Sequence, residues 1–306
     1  MNSPVDFKAI EGMFQRQYKH IEVGFDAEHA VAWTYMKPSG APCFSFGMLE
    51  ELRAHEGTIE SNGGRLLHEG ELKQIDYIVI ASKIESIFSL GGNLAWFVPL
   101  IKSRDRDTLM RYAKLCVDNI YSRICNYHSP MTTISLVQGE ALGGGFETAL
   151  ASNVIIAERR SRMGLPEILF NLFPGMGAYS LLGRRVGIKR AEEMIFSGRI
   201  YTAAELHEMG VVDVLVEDDA GETAVYDYIR GNERRRNGMQ AMFNCRRHLN
   251  PISYDELLNI TNIWVDAALR LEDRDLKLMS RLGRSQLKRT QAEPSAQPMP
   301  EELAYA

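Results

Sequence analysis

The first two-thirds of the chain contains short apolar runs rich in β-branched residues, each bounded by polar or glycine-containing segments. Runs of this length and composition predict strands. They lie at Ala30–Met36, Ile75–Ala81, Thr132–Val137, Asn153–Ala157 and Val211–Val216. Longer stretches with apolar residues at helical spacing lie between them, at Met48–His55 and Asp105–Tyr127. This alternation of strand and helix predicts an α/β layered fold.

After about residue 220 the pattern becomes helical throughout. Apolar residues at helical spacing among charges occupy Ala224–His248, Tyr254–Leu271 and Glu272–Arg289. Ser253, with Glu256 three residues later, predicts a capping box. Residues 291–306 contain three prolines and little apolar bulk, which predicts a disordered tail. We therefore divide the chain into a core over 1–220, a helical region over 221–290 and a tail over 291–306.

Charge and composition narrow the class of protein. The 306 residues include 35 Lys and Arg against 40 Asp and Glu, for a net charge of −5. No long cationic run is present, which argues against nucleic acid as a partner. No apolar window reaches about 18 residues, so no membrane span is predicted, and the expected location is the cytoplasm. The spacing of Cys43, Cys116, Cys125 and Cys245 fits neither a metal site nor a disulfide framework.

Two glycine clusters follow predicted strands. Gly143, Gly144 and Gly145 lie between the Thr132–Val137 strand and a helical pattern. Glycines let the backbone approach a ligand closely, and the free N–H groups of a helix start can stabilise developing negative charge. A second pair, Gly91 and Gly92, follows the Ile75–Ala81 strand. Either cluster alone also fits a turn without a ligand; together they make Gly92 and Gly144 candidate donors of an oxyanion hole.

Two glutamates lie close to these glycines in the sequence. Glu147 follows Phe146 in a mainly apolar helix, and Glu167 lies between Pro166 and Ile168. Their spacing alone says little, because the chain has 40 acidic residues. Carboxylates rarely lie in apolar surroundings without a partner or a role, and a pair can divide acid and base duties. We therefore predict a pair that can divide acid and base duties, and the start of the helix favours the ionised form of Glu147.

The sequence motifs of three other kinds of functional site are absent. The chain has no Gly-x-Ser-x-Gly elbow, His207-Glu208 lacks the second histidine of a zinc motif, and Gly143–Gly145 precede no P-loop lysine. We therefore predict neither a metal nor any other cofactor.

The segments Gln138-Gly-Glu-Ala-Leu-Gly-Gly-Gly-Phe-Glu147, Met163-Gly-Leu-Pro-Glu-Ile168 and Phe173-Pro-Gly-Met-Gly177 together resemble the crotonase (enoyl-CoA hydratase/isomerase) superfamily. The resemblance implies a spiral of ββα units with a helical C-terminal region, assembled into a homotrimer or hexamer. It makes Glu147 and Glu167 the catalytic glutamates, with Glu167 facing the α-carbon and Glu147 the hydroxyl or water. It also makes Gly92 and Gly144 the oxyanion-hole amides.

A narrower resemblance is carried by seven segments: Pro42-Cys-Phe44, Ser89-Leu-Gly-Gly92, Phe97-Val98, Phe170–Gly177, Tyr179-Ser180, Ile260-Thr-Asn-Ile-Trp-Val265 and Asp275-Leu276. These segments are similar to bacterial synthases of the diffusible signal factor. That branch dehydrates a 3-hydroxyacyl thioester on acyl carrier protein and hydrolyses the enoyl thioester to a free cis-2-unsaturated fatty acid used in quorum sensing. The resemblance also implies a possible sensor-kinase receiver partner, and it assigns acyl-pocket and oligomer contacts to residues 221–290. Its substrate-binding residues are Leu90, Gly91, Leu142, Gly143, Met176, Trp264 and Leu282.

Several alternatives stay open. The pocket residues Met176 and Trp264 equally suit a plain core. Asn93 and Ser45 stand where this branch usually has aspartate and asparagine. An ordinary enoyl-CoA hydratase acting on a CoA thioester would share the catalytic groups, and a non-catalytic acyl- or partner-binding protein is the third candidate. Acyl chain length, alkene geometry, carrier, oligomer size and the division of acid and base roles are not predicted.

Overall fold

The computed structural model describes residue 10 and residues 12–289, so the predicted tail over 291–306 lies outside the described residues. The strands of this part are β1 (Ile21–Asp26), β2 (Val31–Met36), β3 (Arg65–His68), β4 (Glu71–Gln74), β5 (Tyr77–Ser82), β6 (Ser86–Ser89), β7 (Thr132–Val137), β8 (Gly139–Leu142), β9 (Val154–Glu158), β10 (Arg162–Gly164), β11 (Ile200–Thr202) and β12 (Val214–Val216). The helices are α1 (Phe46–Ser61), α2 (Leu94–Lys102), α3 (Arg106–Ile124), α4 (Gly144–Leu150), α5 (Ala178–Val186), α6 (Ile188–Ser197), α7 (Ala203–Glu208), α8 (Gly221–Asn232), α9 (Arg236–Leu249), α10 (Tyr254–Ala268) and α11 (Asp273–Lys288). Short 3-10 helices cover Asn126–His128, Pro166–Phe170 and Glu233–Arg235.

The larger sheet has the strand order β1-β2-β5-β7-β9-β12 and is parallel apart from the β1–β2 pair. All six residues of β7 are buried, as expected for a central strand covered on both faces. The predicted α/β class is confirmed. The prediction was wrong at Val211 and Val212, because their amides donate to the carbonyl of Leu206 and end helix α7 before β12 begins.

A smaller sheet has the order β11-β10-β8-β6, in which β6, β8 and β10 run parallel. The chain passes from the larger sheet to this one between β7 and β8, through Gln138 alone. The short strands leave little room between them, and a side chain at Gly139 would lie 2.0 Å from the carbonyl carbon of Ser86. Because β6, β8 and β10 are parallel, the loops that follow them emerge at one edge of the sheet.

The helices that follow β12 differ in detail from the prediction. Instead of one helix over Ala224–His248, the chain forms α8, a 3-10 turn and α9. The break follows Gly231 and Asn232, both poor helix formers, and the Asn232 side-chain amide donates to the Tyr228 carbonyl at 2.7 Å. At the start of α10, Ser253 accepts from the Glu256 amide at 3.0 Å, as predicted. In a full capping box the Glu256 carboxylate would also accept a hydrogen bond from the Ser253 backbone amide. Here that carboxylate accepts from Arg184 instead.

Helix α9 lies against the core without burying any of its residues. Met242 is 67% exposed and Leu249 is 81% exposed. The partly buried Phe243 packs against the core, and three polar side chains bind core carbonyls: Arg247 donates to Cys125, Arg246 to Asn153 and Gln240 to Asp76. None of the described helices combines the length and apolarity needed to cross a membrane.

Candidate active site

Three loops at the edge of the smaller sheet surround a cavity of about 160 Å³. They follow β6, β8 and β10 and carry Gly92, Gly144 and Glu167 respectively. Parallel strands therefore bring together groups that are far apart in the sequence. The cavity lies at the carboxyl ends of these strands, where open parallel sheets usually place their ligands.

The two glycine loops are in direct contact. Gly91 has φ +80°, and a Cβ there would lie 2.6 Å from the Leu142 carbonyl oxygen and 2.8 Å from the Gly144 amide nitrogen. A real Cβ cannot approach backbone atoms so closely. The contact therefore requires glycine at this position and holds the loop after β6 against the start of α4.

Gly92 and Gly144 both line the cavity. Gly144 is the first residue of α4, where an N–H group has no carbonyl one turn earlier to bind. The Gly91 carbonyl accepts from the Phe44 amide at 2.8 Å. Because a trans peptide unit is planar, the N–H of Gly92 points away from Phe44. The structure thus places the two predicted donors on neighbouring loops of one cavity.

Glu147 projects from the first turn of α4 and is 1% exposed. Its Oε1 accepts from the Met176 amide at 2.7 Å and from the Ala178 amide at 2.9 Å. Burial raises the pKa of Glu147 to about 7, and the two amide bonds oppose that rise. Burial therefore has a larger effect on the pKa of Glu147 than the helix N-terminus, which we expected to keep this carboxylate ionised.

Glu167 enters the same cavity from the 3-10 helix after β10. The absence of a side chain at Gly143 leaves space for the Glu167 carboxyl group, because a Cβ at residue 143 would lie 2.3 Å from Glu167 Oε1. The other oxygen, Oε2, is buried and has no hydrogen-bond partner within the described part of the chain. Burial first, and then the negative charge of Glu147, raise the pKa of Glu167 to about 8. The cavity thus holds two carboxylic groups whose pKa values lie near neutrality.

The cavity gathers almost all of the residues that the sequence singled out. Gly91 alone is absent from the wall and lies behind it, packed on Gly144. The others line it: Leu90, Gly92, Leu142, Gly143, Gly144, Glu147, Glu167, Met176, Trp264 and Leu282.

Sequence reasoning missed further wall residues. Four of them lie on α11, three, four or seven residues from Leu282, on the same helix face. That spacing from a predicted wall residue could have identified them: Leu278, Met279, Gln286 and Arg289. Phe97 and Phe170 lie in segments that are similar to the signal synthases but were not assigned to the wall, and Tyr112 carries no comparable local signal. Phe97 packs edge-on against Trp264 with ring centroids 5.6 Å apart, and against Tyr112 at 5.0 Å. No group of three or more metal-ligating side chains occurs in the described ranges.

The two departures from the signal-synthase pattern both fall on helix caps. The Asn93 side chain accepts from the Trp96 amide at 3.2 Å and caps α2. Ser45 accepts from the Met48 amide at 3.2 Å and caps α1. Serine, asparagine and aspartate all cap helices well, so these exchanges preserve the local role.

Comparison with known proteins adds independent evidence. A sequence model of the enoyl-CoA hydratase/isomerase family matches residues 66–240. The mitochondrial methylglutaconyl-CoA hydratase of Mus musculus is 30% identical over 154 residues, which are 50% of this chain and 47% of that protein. The chain therefore spans about half the length of this curated relative.

Two solved structures share the fold. An enoyl-CoA hydratase/isomerase from Xanthobacter autotrophicus Py2 superposes with a TM-score of 0.70 at 21% identity, covering 91% of this chain and 100% of that one. Pseudomonas aeruginosa DspI gives a TM-score of 0.60 at 21% identity, covering 88% and 95%. These similarities confirm the predicted crotonase fold. Since the family match covers more than half of the sequence, this chain belongs to the enoyl-CoA hydratase/isomerase family, within the crotonase superfamily.

Proposed function

We propose that this protein dehydrates a 3-hydroxyacyl thioester and then hydrolyses the enoyl thioester to a free cis-2-unsaturated fatty acid that serves as a quorum-sensing signal. The observation that carries the proposal is the pair of buried carboxylic groups, Glu147 and Glu167, beside two glycine amides in an apolar cavity. The same pair suits ordinary enoyl-CoA hydration. The signal-synthase motifs, including the Trp264 segment that lines this cavity, favour the more specific activity.

The oxyanion hole acts on the thioester carbonyl. Removal of the α-proton moves negative charge onto that oxygen, and the Gly92 and Gly144 amides donate to it. Losing one such donor typically costs about 2.7–4 kcal/mol of transition-state stabilisation. The same two donors would stabilise the tetrahedral oxyanion of thioester hydrolysis.

Because burial raises both pKa values toward neutrality, the pair can hold a proton on one glutamate while the other is ionised. In dehydration one carboxylate accepts the α-proton, the other protonates the 3-hydroxyl, and the bond from C3 to oxygen breaks to release water. The higher pKa of Glu167 favours the arrangement in which Glu167 is protonated and Glu147 is ionised. Moving the proton to Glu147 costs about 1.4 kcal/mol per pKa unit of difference, so either arrangement is accessible.

Hydrolysis in this site proceeds by water attack. A carboxylate accepts a proton from water, which attacks the thioester carbonyl, and the carrier thiol leaves with a proton. Cys116 also lines the cavity, but burial and then the charge of Glu147 raise the pKa of its thiol well above the usual range. A thiol that stays protonated is a poor nucleophile, so we assign no covalent step to it.

The far wall of the cavity suits an alkyl chain. It combines aromatic and aliphatic side chains from three helices: Phe97 of α2, Trp264 of α10, and Leu278, Met279 and Leu282 of α11. Burying a methylene group in such surroundings contributes about 0.8 kcal/mol. The wall therefore supports a fatty acyl substrate.

Turnover is expected to follow a bell-shaped pH profile with a narrow optimum. The pKa of Glu147 is raised to about 7 and that of Glu167 to about 8. Below this range both groups are protonated and no base remains, and above it both are ionised and no acid remains. The profile of kcat/KM from about pH 5 to about pH 10 tests this expectation. A profile that is flat across neutrality contradicts it.

The products distinguish the candidate functions. Purified protein is incubated with a 3-hydroxydodecanoyl thioester, on acyl carrier protein and separately on CoA, and the products are identified by mass spectrometry and proton NMR. We expect free cis-2-dodecenoic acid from the carrier-protein substrate and none from a Glu147→Gln, Glu167→Gln double variant. A trans-enoyl-CoA without free acid would instead identify an ordinary hydratase. Acyl binding without any product would identify a binding protein.

Other aspects of the proposal concern assembly and location. The exposed Met242 and Leu249 of α9 support contact with further copies of the chain, as a homotrimer or hexamer requires. The division into a core over 1–220 and a helical region over 221–290 stays a prediction. So do the cytoplasmic location and a sensor-kinase receiver partner.

A further inference from the structure

We propose that Gln286, on the C-terminal helix α11, is a positioning residue that orients the oxyanion-hole donor Gly92. The inference rests on the proposed function in so far as the Gly92 amide binds a thioester oxygen. It adds a residue from the helical region to a site whose chemical groups all come from the core.

The Gln286 side chain forms three hydrogen bonds to the loop after β6. Its Nε2 donates to the Leu90 carbonyl at 3.0 Å and to the Gly92 carbonyl at 3.2 Å. Its Oε1 accepts from the Leu94 amide at 3.3 Å. Gln286 itself is buried, with 9% of its surface exposed. One side chain therefore satisfies two acceptors and one donor of a single short loop.

These bonds fix the peptide units on both sides of the Gly92 amide. The unit that contains this amide is fixed through Gly91, whose carbonyl accepts from Phe44. The preceding unit contains the Leu90 carbonyl and the following one the Gly92 carbonyl, and both carbonyls accept from Gln286. The preceding unit is also held by its Gly91 amide, which donates to the Ser89 hydroxyl at 3.2 Å. Consecutive glycines otherwise allow many backbone conformations. Gln286 restricts that freedom on both sides of the unit that Phe44 holds, so the two contacts together set the direction in which the Gly92 N–H points.

A glycine on the same face of α11 makes this reach possible. A Cβ at Gly283 would lie 2.8 Å from the Ala95 amide nitrogen and 3.2 Å from the Ala95 Cα. Helix α11 therefore lies almost on the backbone of α2, and residues three apart share one helix face. The close approach at Gly283 brings Gln286 to the loop that precedes α2.

The same helix forms part of the acyl wall through Leu278 and Leu282. Chain binding and donor orientation therefore depend on one element. A change that shifts α11 alters the position of the Gly92 amide as well as the volume available to the alkyl chain.

The test compares Gln286→Ala with the control Arg284→Ala, which changes an exposed residue of the same helix. We expect Gln286→Ala to lower kcat by about 10- to 100-fold, because small displacements of a catalytic group have effects of this size. KM should change by less than about threefold, since the acyl wall is intact. Infrared difference spectra of a bound 2-enoyl thioester labelled with ¹³C at the carbonyl measure how strongly the oxyanion-hole amides bind that carbonyl oxygen. The wild-type protein should lower the carbonyl frequency, and Gln286→Ala should lose the part of that shift that the Gly92 amide contributes.

A second variant separates orientation from folding. In Gln286→Glu an ionised carboxylate faces the carbonyls of Leu90 and Gly92 and repels them, whereas its protonated form can donate to one of them. The carbonyl shift and the activity relative to wild type should therefore recover as the pH falls in this variant. Gln286→Ala should show no such recovery.

The infrared readout also keeps this inference separate from the proposed function. If the wild-type protein releases no product but shifts the bound carbonyl, and Gln286→Ala reduces that shift, the inference stands and the proposed function fails. An unchanged carbonyl shift in Gln286→Ala overturns the inference, whatever happens to kcat. A wild-type protein that does not shift the carbonyl overturns it as well.

Discussion

Glu147→Gln and Glu167→Gln are each expected to lower turnover by about 10²–10⁴-fold, the usual contribution of general acid–base catalysis. Each substitution leaves one carboxylic group in the cavity, which cannot act as acid and base in the same step. The fold should persist, because a glutamine oxygen at residue 147 can still accept from the Met176 and Ala178 amides. Initial rates with the 3-hydroxyacyl thioester give the loss, and isothermal titration with an enoyl thioester shows whether binding persists.

Glu208→Gln is the control, since it replaces an exposed glutamate outside the cavity and should leave the rate unchanged. The double variant should be little worse than either single one, because groups that act as a unit are not additive. Full product formation by both single variants would contradict our assignment of the site.

Gly91→Ala is expected to reduce turnover by about 10²–10³-fold, comparable with the loss of an oxyanion donor. The new methyl group would lie 2.6 Å from the Leu142 carbonyl oxygen and 2.8 Å from the Gly144 amide nitrogen. Backbone atoms cannot rotate away, so the two loops must separate and the Gly92 and Gly144 amides no longer converge. Stability should also fall, by about 1–3 kcal/mol, as for other overpacked sites. Steady-state kinetics and denaturant unfolding measure the two effects.

Gly70→Ala offers a matched control for this substitution. Gly70 has the same φ of +80°, but nothing lies within 4 Å of the position its Cβ would take. Both variants therefore introduce the same backbone strain, and only Gly91→Ala introduces the clash. Activity loss of equal size in both would contradict the close-contact explanation.

Sequence periodicity predicted five of the six strands of the larger sheet, missing only the edge strand β1, and none of the smaller sheet. The five predicted strands all belong to the larger sheet, where buried runs such as β7 are long enough to recognise. Strands β6, β8, β10 and β11 have only three or four residues, too few to establish a period. The break between α8 and α9 escaped detection because the apolar spacing continues across Gly231 and Asn232, whereas the helix does not.

The site was predictable where its residues lie in continuous motifs. Glu147, Glu167 and the Gly143–Gly145 turn are placed by their own strands, so local sequence carries the information. Gln286 is different, because its three bonds reach a loop more than 190 residues earlier in the chain. No spacing within α11 specifies that contact. The pKa values were also beyond sequence reasoning, since they depend on burial that only the assembled cavity creates.

The contribution of α11 to the cavity has a consequence for biosynthesis. Both glutamates and both glycine loops have been synthesised once the ribosome has passed residue 167, but Leu278, Leu282 and Gln286 follow more than a hundred residues later. A chain that ends before α11 lacks this wall, and we expect water to reach its carboxylates, which should then titrate closer to ordinary glutamates. We therefore expect the nascent polypeptide to carry its two glutamates in an incomplete cavity until α11 has left the exit tunnel and packed against α2.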